Sequence, residues 1–373
     1  MKFILLQSKF KEGLNIIERI CPTRSLTLPI LSNVFIKAEK NFINLVSTDL
    51  EIGVKWWSLA KIEKEGKIVI PTKLLSSFIG FLPENKIDAE LKNKTLFIKS
   101  GNHQTQIKGF DPEEFPIVPE IKEGKSVLLN IHSFCQGLTQ VVDIPVVSTA
   151  RPEIAGVYFC FQGDLLKIVA TDSFRLAEKK INLNKKVDRD ILFILPQRTV
   201  REIINIFSEK KGEFQLVFSP NQVLFELEAV KHQGPKIQLL SRLIEGEYPD
   251  YEEILPQKRE TEVILDRNEF LKQLKIASLF SGRINEVKLT ITKDKVEVFS
   301  QNPETGEYKS SLKANITGKE VKTSFNYKFL IDGILKIRSS KLIFELNGEE
   351  GPGLLKPLSD QSYIYVVMPI KAS

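Results

Sequence analysis

Internal repetition decides most of what this chain can become. Three blocks recur in the same order along 373 residues, displaced by roughly 120–130 residues, close to the size of one domain. Each block opens with a short apolar strand that runs into an amphipathic helix. The helix stripe reads Phe10, Leu14, Ile17 and Cys21 in the first block, Phe134, Leu138, Val141 and Val142 in the second, and Phe270, Leu274 and Ala277 in the third. Apolar residues at such spacings share one helix face. Ser8, Asn130 and Asp266 stand where an N-cap is expected, because their side-chain oxygens can accept an unpaired first-turn N–H.

Alternating strands around a polar turn come next. Ile43–Val54 (INLVSTDLEIGV) parallels Leu166–Lys179 (LKIVATDSFRLAEK), and Val296–Leu312 carries Gln-Asn where the other two carry Thr-Asp. Thr48-Asp49 and Thr171-Asp172 therefore read as turn residues that bond local backbone, not as a catalytic carboxylate pair. A second strand-to-helix element follows in each block, with Pro71 and Pro196 at two helix entrances, where a missing N–H costs little. Short charged stretches near Glu120–Lys125 and Gln257–Glu260 read as linkers, so domains are expected over residues 1–122, 127–256 and 259–373. The expected class is α+β, with two helices and antiparallel sheets in each domain. Three like domains in a row can form an arc, and an arc that pairs head-to-tail with a second copy closes into a ring.

Composition narrows the partner and the compartment. Lys+Arg of 53 against Asp+Glu of 47 gives a net charge of +6, which permits a polyanionic partner without demanding one. The three cysteines, Cys21, Cys135 and Cys160, are scattered, as free thiols in a reducing compartment would be. No segment approaches the ~20 apolar residues of a membrane span, and the run Phe3–Leu6 is too short for a signal-peptide core, so a soluble, cytoplasmic protein without membrane partners is expected.

Signatures of catalysis are missing. The chain has no GxxxxGK[ST] phosphate loop, no GxSxG elbow and no HExxH zinc helix. His103, His132 and His232 are far apart and sit among polar residues, which fits surface positions better than a metal site or a general base. Gly348–Gly353 is glycine-rich, but no helix pattern comes after it to present backbone N–H groups to a phosphate, so it reads as a loop between strands. No catalytic residue, metal or cofactor is expected.

Several motifs resemble one family over the whole chain, in order. Leu28–Asn33 (LPILSN), Ser47–Leu50 (STDL), Ile70–Leu75 (IPTKLL) and Phe110–Pro116 (FDPEEFP) are similar to the first domain of bacterial DNA polymerase III beta subunits. Arg151–Val157 (RPEIAGV), Ala170–Leu176 (ATDSFRL) and Arg242–Pro256 resemble the second domain, and Tyr365–Pro369 (YVVMP) resembles the C-terminal signature. The resemblance implies a non-catalytic sliding clamp of three tandem clamp domains, a head-to-tail homodimeric ring around duplex DNA. It also implies the replicative polymerase alpha subunit, the clamp loader and repair proteins as partners. A ring held by topology needs no tight phosphate neutralisation, so a modest net charge suits it.

By the same resemblance, one hydrophobic cleft should receive all these partners. Its matching residues are Ile154, Thr171, Ser173, Phe174, Arg175 and Leu176, then Pro249, Glu253 and Ile254. Ile284, Asn326, Phe329, Val366, Val367, Met368, Pro369 and Ile370 complete it. Ser173-Phe174 stand where the family often has Gly-His, Glu253 where a basic residue is common, and Ile370 where a second Met is usual, which makes this cleft bulkier and more apolar on one side. Arg24 and Arg151 are the expected direct DNA contacts. Helix faces opposite the apolar stripes add Lys11, Asn15 and Arg19, then Arg198 and Arg201, then Lys272 and Lys275 for sequence-independent contact. The dimer contact should use Thr105 and Ile107 on one side and Leu279 on the other, with Thr105 replacing what is commonly a large apolar residue. Two other readings compete: a three-domain peptide-binding scaffold that never encircles DNA, and a hydrolase using the Thr-Asp turns.

Overall fold

The structure is a computed structural model that describes residues 1–22, 28–121, 124–146, 148, 150–228, 236–256 and 259–371. Among these residues six helices recur in pairs, α1 (Gln7–Glu18), α2 (Thr72–Phe81), α3 (Ile131–Val141), α4 (Gln197–Phe207), α5 (Arg267–Ala277) and α6 (Tyr327–Lys336). The predicted stripes are the buried faces: Phe10, Leu14 and Ile17, then Phe134, Leu138 and Val141, then Phe270, Leu274 and Ala277 are all in the core. Cys21 lies beyond the end of α1, with its sulfur 3.1 Å from Thr72 Oγ1.

The caps divide. Asp266 caps α5 as expected, accepting from the Glu269 N–H at 2.8 Å, and Asn130 is the last residue of the strand leading into α3. Ser8 does not cap α1. The helix already begins at Gln7, Leu6 is the capping position, and no side-chain oxygen serves it. Gln7 has instead turned inward and donates its amide N–H to the carbonyl of Ile79 at 2.7 Å.

Two compact units divide the chain, one of residues 1–132 and 201–243, the other of residues 133–200 and 244–373. These units do not coincide with the repeats, and the sheets give the reason. In the first unit an eight-stranded antiparallel sheet runs Lys125–Asn130, Glu213–Phe218, Gln222–Leu227, Lys236–Arg242, Ile52–Leu59, Phe42–Thr48, Asn33–Glu39, Gly66–Pro71. Strand Ile52–Leu59 from the first repeat pairs there with Lys236–Arg242 from the second, with Gly53 opposite Leu240. In the second unit a nine-stranded sheet contains the corresponding seam between Arg175–Asn182 and Tyr363–Val367, with Leu176 opposite Val366. Backbone pairing thus splits the central repeat between the units.

A strap crosses the outer face of each seam. Phe115 and Val118, with half-buried Ile121, pack on Val46, Val69, Leu224 and Leu240 in the first unit. Tyr251, with Tyr248 and Leu255, packs on Val169, Leu176, Leu354 and Val366 in the second. Each buried aliphatic or aromatic side chain contributes ~1.5–3 kcal/mol, so a few contacts can hold a segment that has little regular structure. Hollows of about 340 and 440 Å³ flank the first strap, both lined by Lys55, Val118 and Glu120.

Candidate functional site

The predicted turns are built alike. Thr48 Oγ1 donates to the Ile52 carbonyl at 2.9 Å, and Asp49 Oδ1 accepts from the N–H groups of Glu51 and Ile52 at 3.0 and 2.7 Å. Thr171 Oγ1 donates to the Arg175 carbonyl at 2.9 Å, and Asp172 Oδ1 accepts from Phe174 and Arg175, each at 3.0 Å. Both carboxylates hold local backbone in a tight turn. The third residue of each turn is left-handed, with φ of 78° at Leu50 and 75° at Ser173.

The second turn differs from the first in its charged and aromatic neighbours. Arg175 is nearly buried, and its Nε donates to Asp172 Oδ2 at 2.9 Å while Nη1 donates to Asp332 Oδ2 at 2.5 Å. Two fixed carboxylates hold the planar guanidinium, which lies 4.6 Å above the Phe329 ring. Phe329 stacks in turn near Phe174, with ring centroids 6.4 Å apart. The Met368 N–H donates to the Phe174 carbonyl at 2.8 Å, which ties the C-terminal segment to the turn, and the Ile370 N–H donates to Ser324 at 2.8 Å. Arg151 also reaches this turn: its Nη1 lies 3.4 Å from Ser173 Oγ, and its Nε is paired with Glu153 at 3.1 Å.

The other residues expected to line the cleft divide by burial. Ile154, Thr171, Leu176, Val366 and Val367 are buried. Leu176 and Val366 are core residues under the strap, so a charge placed at Leu176 would test folding before it tested binding. Phe174 (62% exposed), Ile284 (61%), Ile254 (47%) and Met368 (36%) are the large apolar groups open to solvent, and Glu253 is exposed beside Ile254. Pro249 and Pro369 are half-buried, as are Asn326 and Phe329. Asn326 caps α6 through the Lys328 N–H at 3.0 Å, and the carbonyl of Asn285, next to Ile284, accepts from the Tyr327 N–H at 2.9 Å. Tyr248 stacks on Tyr158 at 4.7 Å, and the Tyr251 hydroxyl donates to buried Glu178 at 2.7 Å; these contacts fix the strap segment that carries Pro249 and Ile254. Burial, followed by the Glu178 carboxylate, pushes the Tyr251 phenol far above its usual range, so it stays a donor.

Asp332, Glu178 and the tyrosines at 158 and 248 escaped the sequence reading. Asp332 is 157 residues from Arg175, and nothing local marks a helix-surface Asp as the partner of a distant Arg.

The other expected residues are more dispersed. Arg24 lies outside the described residues. Arg198 and Arg201 are exposed on α4, and Lys11, Asn15, Arg19, Lys272 and Lys275 lie on or just beyond α1 and α5. Thr105 and Ile107 belong to strand His103–Lys108 at the edge of the five-stranded sheet. Ile107 is only 3% exposed, so its side chain belongs to the protomer's own core and only its backbone faces outward; Leu279 is 70% exposed.

Repeated α+β units joined through shared sheets define a clamp architecture. Sequence models of the N-terminal, central and C-terminal domains of the DNA polymerase III beta subunit match residues 1–119, 136–250 and 252–371. The chain belongs to that family, the sliding clamps of DNA replication. It is 29% identical to the beta sliding clamp of Staphylococcus aureus, over 100% of this chain and 99% of that protein. The crystal structure of the DNA polymerase sliding clamp from Bacillus subtilis matches with a TM-score of 0.93 and 27% identity, covering 100% of both chains. The DNA polymerase III subunit beta from Pseudomonas aeruginosa shares the fold at a TM-score of 0.94 and 22% identity, again over 100% of both chains. Among the described residues no helix is long and apolar enough to cross a membrane.

Proposed function

We propose that two copies of this chain close head-to-tail into a ring around duplex DNA, and that the second-unit site tethers the replicative polymerase alpha subunit, the clamp loader and repair proteins by turns. The reading treats the chain as non-catalytic and cytoplasmic, built of domains over residues 1–122, 127–256 and 259–373.

One observation carries the ring. Each seam within the chain joins the outer strand after a polar turn to the last strand of another repeat: Ile52–Leu59 with Lys236–Arg242, and Arg175–Asn182 with Tyr363–Val367. One strand of each kind is left at a sheet edge, Gly306–Lys313 and His103–Lys108. A second copy supplies the missing partner for each, and two such seams close a symmetric ring while covering edges that would otherwise invite aggregation. Arg24, Arg151, Arg198 and Arg201 are the proposed DNA contacts, sequence-independent and mobile.

The partner site consists of the Phe174, Ile254, Ile284 and Met368 rim around the Arg175–Phe329 stack. A short disordered segment ending in a Leu-Phe-like pair fits such a surface, because a flexible Met among branched aliphatics accommodates related peptides. Micromolar affinity corresponds to ~8 kcal/mol, which suits partners that must exchange.

Fluorescence polarisation of a labelled Gln-Leu-x-Leu-Phe-type peptide tests the site. Phe174→Ala and Met368→Lys alter exposed residues and should leave the fold intact while weakening binding about 10-fold or more. Wild-type affinity in both variants would remove the site assignment. The ring is tested by retention on circular DNA after loading by the cognate clamp loader. Release on linearisation is expected, and equal retention on linear DNA would favour a scaffold that merely binds.

A further inference from the structure

The two internal seams also join helices, and the helix contact shows what the third seam should contain. Counted from the last residue of the strand before each helix (Leu6, Asn130 and Asp266), Arg19, Asp143 and Leu279 are equivalent, just as core residues Phe10, Phe134 and Phe270 are. Counted from the residue before α2, α4 and α6 (Pro71, Pro196 and Asn326), the equivalents are Phe81, Ile206 and Lys336. In the second unit Lys336 Nζ lies 2.6 Å from Asp143 Oδ2, and Gln140 Nε2 donates to the Lys336 carbonyl at 3.0 Å. In the first unit Arg19 approaches Glu202, one turn before buried Ile206, at 3.8 Å. At both internal seams the position equivalent to Leu279 therefore meets the helix that carries the position equivalent to Phe81, at the equivalent residue itself in the second unit and one turn before it in the first.

Phe81 is 90% exposed and Leu279 is 70% exposed. A phenylalanine so open at the last residue of a helix has no packing role in its own protomer. We infer that Phe81 of one copy packs against Leu279 of a second copy, an apolar contact at the place where the second unit has the Lys336–Asp143 ion pair. The inference rests on the ring reading and deepens it. The same equivalence sets the strand register: the residue facing Leu240 or Val366 across its seam becomes Glu307, and Leu240 and Val366 themselves become Gln106. Glu307 then faces Gln106, and Tyr308 faces Thr105. The change of chemistry has a physical basis. Covalent continuity holds the internal seams together, so exposed ion pairs that contribute little suffice there. Two separate chains must gain free energy by association, and buried apolar anchors provide it.

Sedimentation velocity over a concentration series on the full chain, with Phe81→Lys and Leu279→Asp, tests the pairing. Both positions are exposed, so both variants should fold, with circular dichroism as the check. Each variant alone should raise the dimer dissociation constant about tenfold or more. An equimolar mixture of the two variants should recover dimers. A head-to-tail heterodimer then has one native Phe81–Leu279 contact and one Lys–Asp contact of the kind that Lys336 and Asp143 already make within the chain. Dimers unaffected by either variant would overturn the Phe81–Leu279 contact while leaving the ring intact. Weakened dimers that the mixture does not restore would overturn the direct pairing. A wild type that stays monomeric at tens of micromolar, well above working concentrations of a tight dimer, would overturn the ring reading itself.

Discussion

The two Thr-Asp turns share a backbone and serve different ends. In the first, the turn leads to Ile52 and Gly53; in the second, to Arg175 and Leu176. Gly53 has no side chain because the strap already fills the space: a Cβ there would lie 2.6 Å from Val118 Cγ1. Leu176 occupies that position in the second unit, and the strap crosses it with Tyr251. Ile52 is a buried apolar residue, whereas Arg175 carries a charge held by Asp172 and Asp332 against an aromatic ring. A repeated fold thus supplies two equivalent places, and only the second carries an anchored guanidinium with exposed Phe174 and Met368 beside it. Repetition fixes geometry, while single substitutions at repeated positions assign the work.

That contrast can be broken from either side. Arg175→Ala should have the largest effect. It leaves Asp172 without its charged partner and strips the Phe329 face, so the second unit should lose ~3–5 kcal/mol, read by the denaturant midpoint in far-UV circular dichroism. Leu176→Ala should cost ~2–5 kcal/mol by opening a cavity under Tyr251, and a loss below ~1 kcal/mol would mean that the strap collapses into the gap. Gly53→Ala brings the first seam closer to the second and should cost ~1–3 kcal/mol through overpacking against Val118. The two tryptophans, Trp56 and Trp57, both lie in the first unit's seam strand. Tryptophan fluorescence should therefore follow the Gly53→Ala transition and miss much of the Arg175→Ala one. Coincident shifts in both probes would show that the units unfold as one. Ser173→Gly should have the smallest effect, a gain of about 0.5–1 kcal/mol, because glycine accepts φ near 75° without the Cβ clash.

Much of the architecture was legible because local rules reach far in a repeat. Helical stripes, the two turn motifs and the GEEGPG loop, which runs from the end of strand Lys341–Leu346 into the first residue of strand Gly353–Pro357, follow from periodicity and turn chemistry. Ser8 is no cap because the helix already begins one residue earlier, at Gln7, whose side chain donates to the Ile79 carbonyl 72 residues away. The resemblance supplied the proposed site residues as a set without saying which are buried. Leu176 and Val366 are as apolar in sequence as Met368 and Ile284, and only burial separates the two groups.

The order of residues along the chain determined by itself the unit of construction: three strand–helix repeats, two of them with a polar turn whose Thr and Asp close on their own backbone. Those interactions span a few residues and are encoded where they occur. Tertiary structure decided everything that depends on distant partners. Pairing of Ile52–Leu59 with Lys236–Arg242 split the central repeat between two compact units. Packing across the second seam turned Arg175, Asp332 and Phe329 into one stack. Such contacts join residues more than a hundred positions apart, and their free energy comes from desolvation and geometry that exist only once the sheets have formed.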